Sequence, residues 1–487
     1  MLKPEGLQRN VYEQKIITNA KYMDATFIKA LQLVLSLSIL VVLHEGGHFL
    51  FSKLFKVKVE KFFLFFDPYF HLFSTKDKWF TRLFPKCKDN ETEYGIGWLP
   101  FGGYVKIAGM IDESMDTEQM KQPVKEWEFR AKPAWQRLLI MIGGVLVNFV
   151  LALLIYAMIL FAWGEQYMPV KEMNMGFQFN EQAEKLGFKD GDILLAADGE
   201  EIVKYDMNIY RTISEAKAVT VMRSGQEMVI NMPEDMNMIE MLKSTPPFLT
   251  PYIPAVVDSV LPETSVYAAG MRKGARIVSM DGTGVETWTD FDALTLKRME
   301  QLADCSAEDS LRLRNITLVY QAEGCETLDT VAIQLTEDYK LGVIKCSLLD
   351  YYQPTQQDYG FWASIPAGIA HGLDVLSGYV SDLQYLFTSD GAKNVGGFIT
   401  IGSIFPATWD WLTFWETTAF LSIMLAFMNI LPIPALDGGH VMFLIAEIIL
   451  RRPPSEKFME RAQMVGMTLI MCLMLLACYN DIVRFIL

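Results

Sequence analysis

The chain has 487 residues, of which 51% are hydrophobic, and its formal net charge is −15 at pH 7. A chain of this length can hold several domains, and so apolar a composition points to a membrane protein rather than a soluble one. The acidic balance argues against nucleic-acid binding, because nucleic acids select basic surfaces and the sequence has no basic cluster of that kind.

Four apolar stretches are long enough to cross a bilayer as helices, which takes about 20 residues. They cover residues 27–55, 138–163, 412–431 and 464–485, and Glu416 and Asn429 interrupt the third. The first stretch lacks a small-residue cleavage site and is too long for a secretory signal, so we expect a retained helix. Because Met23 lies just before it, residues 1–22 are either a short tail or the product of an upstream start.

Basic residues collect on one side of these helices. They follow the first helix, precede the second, and fill the link between the third and fourth: Lys53, Lys56, Lys58, Lys61, Lys76, Lys78, Arg82, Lys86, Lys88, Arg130, Lys132, Arg137, Arg451, Arg452, Lys457 and Arg461. The positive-inside bias places both links in the cytoplasm. It therefore places both termini, and the long acidic segment between the second and third helices, on the outer side.

The outer segment contains an internal duplication. "LGFKDGDILLAADGEEI" and "AGMRKGARIVSMDGTGV" match at a constant offset, with Gly187, Gly191, Asp198, Gly199 and Ile202 against Gly270, Gly274, Asp281, Gly282 and Val285. Each copy predicts a short strand closed by an Asp-Gly hairpin turn. Both copies resemble the PDZ domain over about residues 170–343, although Ala275 departs from its usual aspartate. The resemblance implies peptide binding at a sheet edge, and a spacer or steric cover is an equally weighted alternative.

The same segment contains three cysteines, Cys305, Cys325 and Cys346. Disulfides can form in an oxidising outer compartment, so a bridge between Cys305 and Cys325 is one hypothesis, based on compartment and spacing alone. Three unrelated thiols is the alternative, and the sequence does not decide between the two.

The first apolar stretch contains "HEGGH", which places His44 and His48 one turn apart on the same face of a helix. Two imidazoles at that spacing can bind one zinc ion, with Glu45 beside them as a general base, as in zinc hydrolases. Histidines that form hydrogen bonds between helices are the structural alternative. An ionisable side chain near the bilayer centre costs about 2.5–3.5 kcal/mol on insertion scales, which favours function. Gly46 and Gly47 would allow another helix to pack closely there.

A catalytic zinc site needs a third protein ligand and one open position. The candidate ligand lies in "NILPIPALDGGHVMFLIAEIIL", residues 429–450, where two prolines break the third helix after Leu431 and Asp437 precedes a new helix. Asp437 could instead be an ordinary N-cap. His440 is a competing ligand, and spacing alone does not separate it from Asp437.

Two motifs that lie far apart in the sequence occur in a recognisable order. "HEGGH" and "NILPIPALDGG" are similar to the HExxH and NxxPxPxLDG motifs of the site-2 protease family of intramembrane metalloproteases. From about residue 23 onward, the chain resembles the bacterial branch with tandem PDZ domains, the regulator of sigma-E protease type. "MIGGVLVNF" resembles the GPxxN segment of that family, with Gly144 and Asn148 in place but Val145 where proline is usual.

The resemblance implies a Zn²⁺ ion on His44, His48 and Asp437, with Glu45 activating water. Asn429 would hydrogen-bond the substrate backbone or the developing oxyanion. The implied activity is hydrolysis of transmembrane segments of single-span proteins in the bilayer, after a first cut has removed their outer domain. Anti-sigma factors and leftover signal peptides are examples of such substrates.

The resemblance also covers "GWLPFGGYVKIAGM", residues 97–110, which is similar to the membrane-associated β-loop of that family. Gly102, Gly103 and Tyr104 would form its core and clamp an extended substrate strand by β-augmentation. The aromatic segment 61–93 before it has no predicted role. His371 lies in a segment, 364–387, with a partial helical period, and as a lone histidine it is predicted to be structural or exposed.

We therefore expect a polytopic α-helical protein of the bacterial inner membrane, with about four transmembrane helices and a membrane-associated β-loop. Two PDZ-like α+β domains would be periplasmic, with the active site toward the cytoplasm. The expected segments are a tail 1–26, first helix 27–56, cytoplasmic-side loop 57–137, second helix 138–163, PDZ-like domains 165–249 and 250–345, amphipathic surface segment 346–410, third helix with LDG motif 411–450, and fourth helix 451–487.

Two functions of other classes compete with the protease. A non-catalytic membrane adaptor would use the PDZ-like pair alone, and it gives no reason for Glu45 beside two histidines. A metal transporter would require ligands along a path between inverted repeats, and the membrane part shows no such duplication.

Overall fold

The structure is a computed structural model that describes residues 5–86, 90–110, 122–300, 312–336, 338–386, 388 and 395–485. Within it the chain forms two compact units, Met1–Gly164 with Asp358–Leu487, and Glu165–Gln357. The first unit contains the apolar helices and the second contains the duplicated segment. Each unit has a hydrophobic core of its own.

The first unit begins with two long helices separated by a ribbon of strands. In chain order the elements are α1 (Glu5–Leu54), β1 (Val59–Ser74), α2 (Lys78–Leu83), β2 (Glu93–Ile107) and α3 (Ala134–Ala162), with a 3-10 turn at Phe129–Ala131. Two spans in these helices, Ala25–Leu54 and Ala134–Ala162, are long and apolar enough to cross a membrane. They agree with the first two predicted transmembrane helices.

The ribbon gives the aromatic segment a structural role that the sequence did not indicate. Phe63 of β1 pairs with Tyr104 of β2 on one side and with Gly95 on the other. The predicted β-loop is therefore β-structured, and its partner is the aromatic segment. In the described part of the chain, residues 99–107 pair with β1 alone, which places them at an edge of the ribbon.

The second unit is built from short strands and helices. In chain order they are β3 (Glu165–Pro169), β4 (Phe177–Phe179), α4 (Glu181–Leu186), β5 (Ile193–Ala197), β6 (Glu200–Glu201), β7 (Lys204–Tyr205), α5 (Asn208–Glu215), β8 (Ala218–Arg223), β9 (Gln226–Asn231), α6 (Met238–Lys243), β10 (Leu249–Pro251), β11 (Val257–Val260), α7 (Ser265–Ala268), β12 (Arg276–Met280), β13 (Thr283–Gly284), α8 (Trp288–Glu300), β14 (Asn315–Gln321), β15 (Leu328–Gln334), β16 (Val343–Lys345), α9 (Leu348–Tyr351) and β17 (Thr355–Gln357). A 3-10 turn, Val170–Glu172, follows β3.

Each copy of the duplicated sequence contributes to its own four-stranded sheet, with strand orders β6-β5-β8-β9 and β13-β12-β14-β15. The predicted hairpin turns are present in both. Asp198 and Asp281 each have a φ of 49°, and each carboxylate accepts a backbone N–H, from Ala218 at 2.9 Å and from Thr317 at 2.8 Å. Aspartate tolerates this left-handed backbone, and its side chain accepts a hydrogen bond from an adjacent strand of the same sheet, which explains why both turns use it.

The second unit extends to residue 357, beyond the boundary expected at residue 345. The reason is that β17 pairs with β3, with Gln356 opposite Gln166. Cys325 and Cys346 are free, and Cys325 is exposed. Cys305 lies outside the described residues, so the suggested bridge to Cys325 stays a hypothesis.

Among the described residues, the remaining helices of the first unit are α10 (Phe361–Leu386), α11 (Phe398–Ile404), α12 (Trp411–Ile430), α13 (Asp437–Leu450) and α14 (Glu456–Phe485). Two spans in them, Trp411–Ile430 and Lys457–Phe485, are again long and apolar enough to cross a membrane. The predicted surface segment forms α10, which packs on α3, where the ring of His371 lies 4.7 Å from that of Tyr156. Its place relative to a membrane surface stays a prediction.

Glycines bring α1 and α3 into backbone contact. A Cβ atom on Gly47 would lie 2.3 Å from the carbonyl oxygen of Gly143, and a Cβ on Gly143 would lie 2.8 Å from the carbonyl oxygen of Gly47. Neither backbone can move away without separating the two helices. By contrast, a Cβ on the neighbouring Gly46 would meet nothing within 4 Å.

We expect Gly47→Ala to destabilise the first unit, because one methyl group must force two packed backbones apart, an overpacking cost of about 1–3 kcal/mol. Gly46→Ala is the matched control, since it makes the same chemical change one residue away in open space. Thermal unfolding of the purified full-length variants in detergent measures both. Equal midpoints for the two variants would contradict the packing.

Candidate metal centre

The two histidines of the HEGGH motif lie on α1, on the side that faces α3. His44 and His48 are buried, with 8% and 5% of their surfaces exposed. Their Nε2 atoms are 3.4 Å apart. One helical turn therefore places both imidazoles at the same point, as the spacing predicts.

Asp437 reaches the same point from the other end of the chain. α12 ends at Ile430, and α13 begins at Asp437, with Leu436 at the N-cap position. Asp437 is therefore not the N-cap of α13. The turn between the helices is tight, since a Cβ on Gly438 would lie 2.1 Å from the carbonyl oxygen of Leu431. This turn directs the Asp437 carboxylate toward α1.

Three atoms that could donate an electron pair to a metal ion, here called the donor atoms, form a nearly equilateral triangle. Oδ2 of Asp437 lies 3.1 Å from Nε2 of His44 and 3.3 Å from Nε2 of His48, and the third side is the 3.4 Å between the histidines. A tetrahedral zinc ion with bonds of about 2.0–2.2 Å holds its ligand atoms about 3.3–3.5 Å apart. Oδ2 of Asp437 is also buried, and the polar atoms that it faces are the two imidazole nitrogens. Both observations fit a bound divalent cation.

The competing ligand, His440, lies elsewhere. Among the described residues, the group of ligand atoms that lie within 4.8 Å of one another comes from His44, His48 and Asp437, and His440 does not belong to it. It lines a cavity that is also bordered by Arg137 and Glu447. The geometry thus separates two candidates that the spacing could not.

α3 closes the centre from the opposite side. Nδ1 of His48 lies 2.8 Å from the backbone carbonyl oxygen of Ile140, and Nδ1 of His44 lies 3.3 Å from Nδ2 of Asn148. Between them, a Cβ on Gly144 would lie 2.5 Å from Nε2 of His48. Glycine at 144 therefore leaves room for the two rings, and Val145 continues the helix where the related motif has proline.

The predicted catalytic side chains also belong to this region. Nδ2 of Asn429, near the end of α12, lies 3.4 Å from Nε2 of His44. Glu45 directly follows His44 on α1. The structure therefore brings Asn429 to the centre, and Glu45 is the chain neighbour of one of the histidines.

The predicted substrate-binding strand runs beside the same helix. A Cβ on Gly103 would lie 2.7 Å from a side-chain carbon of Val41, one turn before His44, and a Cβ on Gly102 would lie 2.7 Å from the Phe66 ring. The hydroxyl of Tyr104 donates to Oδ1 of Asp67 at 2.9 Å. Gly103 thus lies against α1 one turn before the first histidine.

Sequence reasoning missed the partners of this strand and of the histidines. Phe63 and Phe66 stack on Tyr104, with ring centroids 5.5 Å and 6.4 Å away, and their only signal was the aromatic run around them. Ile140 contributes a backbone carbonyl, for which a sequence contains no signal. Asn148 belongs to the recognised motif in α3, but the motif did not indicate its contact.

Comparison with known proteins gives a consistent result. The model of Peptidase family M50 matches residues 32–473. The chain is 25% identical over 476 residues to a "Putative zinc metalloprotease" of Vibrio cholerae, and this covers 93% of the chain and 97% of that protein. It is 26% identical over 473 residues to "Regulator of sigma-E protease RseP" of Escherichia coli, with the same coverage. It is 26% identical over 480 residues to "Metalloprotease MmpA" of Caulobacter vibrioides, covering 95% of the chain and 97% of that protein.

These similarities and the four apolar helices support a polytopic protein of the inner membrane, whose substrates are membrane proteins. They favour the protease over the adaptor and the transporter, and they imply Zn²⁺ as the cofactor. The family match spans most of the chain and contains both motifs that supply the buried triangle of donor atoms. The chain therefore belongs to Peptidase family M50, the site-2 proteases, and is an intramembrane zinc metalloprotease.

Proposed function

We propose that the protein hydrolyses peptide bonds within transmembrane segments of single-span membrane proteins, with zinc held by His44, His48 and Asp437. The observation that carries this proposal is the buried triangle of donor atoms with sides of 3.1–3.4 Å. When bound, zinc supplies a Lewis acid for the scissile carbonyl and activates water at neutral pH. Two histidines and one carboxylate leave a position open for that chemistry.

The protein side chains would move the proton and stabilise the developing charge. Glu45 lies beside His44 and would take the proton of the attacking water, then return it to the leaving amine. Asn429 has its amide nitrogen 3.4 Å from Nε2 of His44. From there it would donate a hydrogen bond to the oxygen on which negative charge develops.

Hydrolysis also requires an extended substrate, because the peptide bonds of a membrane helix are protected by their own hydrogen bonds. The edge strand at residues 99–107 supports a role in substrate binding, since Gly103 packs against Val41 one turn from His44. A substrate strand added to that edge would gain backbone hydrogen bonds in place of its helical ones. Gly102 and Gly103 would permit the close approach, and Tyr104 would hold the strand in place through Asp67.

The position of the histidines near the basic end of α1 supports a site toward the cytoplasm. His48 lies six residues before the end of α1, about 9 Å along the helix, and Lys53, Lys56 and Lys58 follow. By the positive-inside bias, this end is cytoplasmic. The unit Glu165–Gln357 would then be periplasmic, and its two repeated sheets are the proposed PDZ-like domains. We propose that they exclude substrates with bulky outer domains and admit pre-cleaved ones.

Glu45→Gln should abolish cleavage of a tagged single-span substrate that lacks its outer domain, because an amide cannot accept the proton. We expect a rate loss of about 10²–10⁴-fold, with the zinc content of the purified protein unchanged. Cleavage at the wild-type rate would exclude Glu45 as the base. Loss of both zinc and activity would make it a structural residue of the centre.

Asp437→Asn should lower zinc content and activity together, because the centre loses its charged ligand. His440→Gln is the matched control, since it changes a competing side chain three residues away on the same helix. Metal analysis of the two purified proteins decides between the candidates. Zinc lost from the His440 variant and kept in the Asp437 variant would reverse the assignment.

A pre-trimmed substrate should be cut at least tenfold faster than the same substrate with its outer domain, if the second unit acts as a size filter. Both forms can be compared in cells that express the full-length protease. Deleting the outer domain of the substrate changes nothing near the bond to be cut, so equal rates would contradict the filter and leave the chemistry of the centre intact.

A further inference from the structure

One buried side chain at the centre has a polar atom without a hydrogen-bond partner. Asn148 of α3 is fully buried, and its Nδ2 faces Nδ1 of His44 at 3.3 Å. Its other polar atom, Oδ1, is buried and has no hydrogen-bond partner in the protein. A buried amide oxygen without a partner destabilises the folded protein.

The explanation lies in the hydrogen that His44 must carry. A neutral imidazole has one N–H and one lone pair. If Nε2 of His44 offers its lone pair to zinc, the hydrogen is on Nδ1, and Nδ1–H then faces the NH₂ group of Asn148. Two donors would point at each other while the amide oxygen has nothing to accept.

A half-turn of the amide removes the conflict between the two donors and gives the amide oxygen a hydrogen to accept. It exchanges the oxygen and the nitrogen with almost no change in shape, so Oδ1 would accept the hydrogen of Nδ1. We propose that Asn148 is a positioning residue that fixes the zinc-binding tautomer and ring orientation of His44 through this hydrogen bond. The proposal rests on the ligand set proposed above.

His48 shows the same arrangement with a different acceptor. Its Nδ1 lies 2.8 Å from the backbone carbonyl oxygen of Ile140, which can only accept, so the hydrogen is on Nδ1 and, in the neutral ring that binds zinc, the lone pair is on Nε2. The Nε2 atom is the one that faces Asp437. Histidine ligands of zinc generally donate their other N–H to an oxygen in this way. Helix α3 thus provides both acceptors, one from its backbone and one from Asn148.

An amide also suits the centre when zinc is absent. With Nδ2 toward Nδ1, Asn148 donates to a lone pair on Nδ1, and His44 then carries its hydrogen on Nε2, which faces Oδ2 of Asp437 at 3.1 Å. A backbone carbonyl cannot serve both tautomers in this manner. Asn148 would therefore turn over when zinc binds.

The experiment measures the zinc affinity of the full-length protein, purified in detergent and stripped of metal, by competition with a chelator. Asn148→Leu keeps the size of the side chain but has no acceptor, and we expect zinc affinity to fall about 10–100-fold. Asn148→Asp keeps two acceptor oxygens and no donor, so its affinity should stay within about threefold of wild type or increase. Proteolytic activity is not needed for either measurement.

Two further variants serve as controls. The hydroxyl of Ser422 donates to the backbone carbonyl oxygen of Asn148 at 2.7 Å, so Ser422→Ala removes a buried hydrogen bond at the same place without changing the amide. Its zinc affinity should equal that of wild type. His44→Ala should lose most of the affinity, because it removes a ligand.

The outcomes distinguish a wrong role for Asn148 from a wrong set of zinc ligands. Wild-type affinity in Asn148→Leu, or an equal loss in the leucine and aspartate variants, would overturn the role of Asn148. If the leucine variant does not fold, a fall of more than tenfold in the aspartate variant alone would overturn it. Unchanged affinity in His44→Ala would instead show that the ligand set is wrong.

Discussion

Everything in the first unit depends on holding three buried donor atoms 3.1–3.4 Å apart inside a bundle of apolar helices. Each of these atoms has lost its water, and an unpaired polar atom in an apolar medium costs several kcal/mol. The cost is acceptable where a cation gathers all three atoms. A bundle stabilised only by packing would have no use for them.

Close packing is what allows the centre to form. Gly47 and Gly143 bring the backbones of α1 and α3 together, and Gly144 leaves room for the imidazole rings. Asp437 is held by a second tight contact, since a Cβ on Gly466 of α14 would lie 1.6 Å from the carbonyl oxygen of Pro434. The last helix therefore supports the turn that carries the proposed third ligand. Small residues serve here because helices in lipid associate through packing rather than through the hydrophobic effect.

Much of this could be predicted because its signals are local. Span length and hydropathy locate four helices, helical periodicity places His44 over His48, and the prolines before Asp437 end one helix before another begins. The partner of Tyr104 could not be predicted, because a strand can pair with many others and only the folded chain selects one. The same holds for β17, which pairs with a strand far back in the chain and so moves the boundary from residue 345 to residue 357. The sequence could not decide whether His440 or Asp437 is the ligand. The two residues are three positions apart on the new helix, and the direction of each side chain depends on the turn that precedes the helix.

The ribbon beside the centre has properties that a substrate clamp requires. To unwind a helix, a binding strand must itself resist deformation, or the substrate would distort it instead. Tyr104 stacks on Phe63 and Phe66 and donates to Asp67, so its side chain is held in place by the neighbouring strand. Stacked aromatic pairs contribute about 0.5–1.5 kcal/mol each beyond their buried area. The aromatic segment, which has no counterpart in the recognised motifs, would thus stiffen the edge strand and leave its backbone groups available to the substrate.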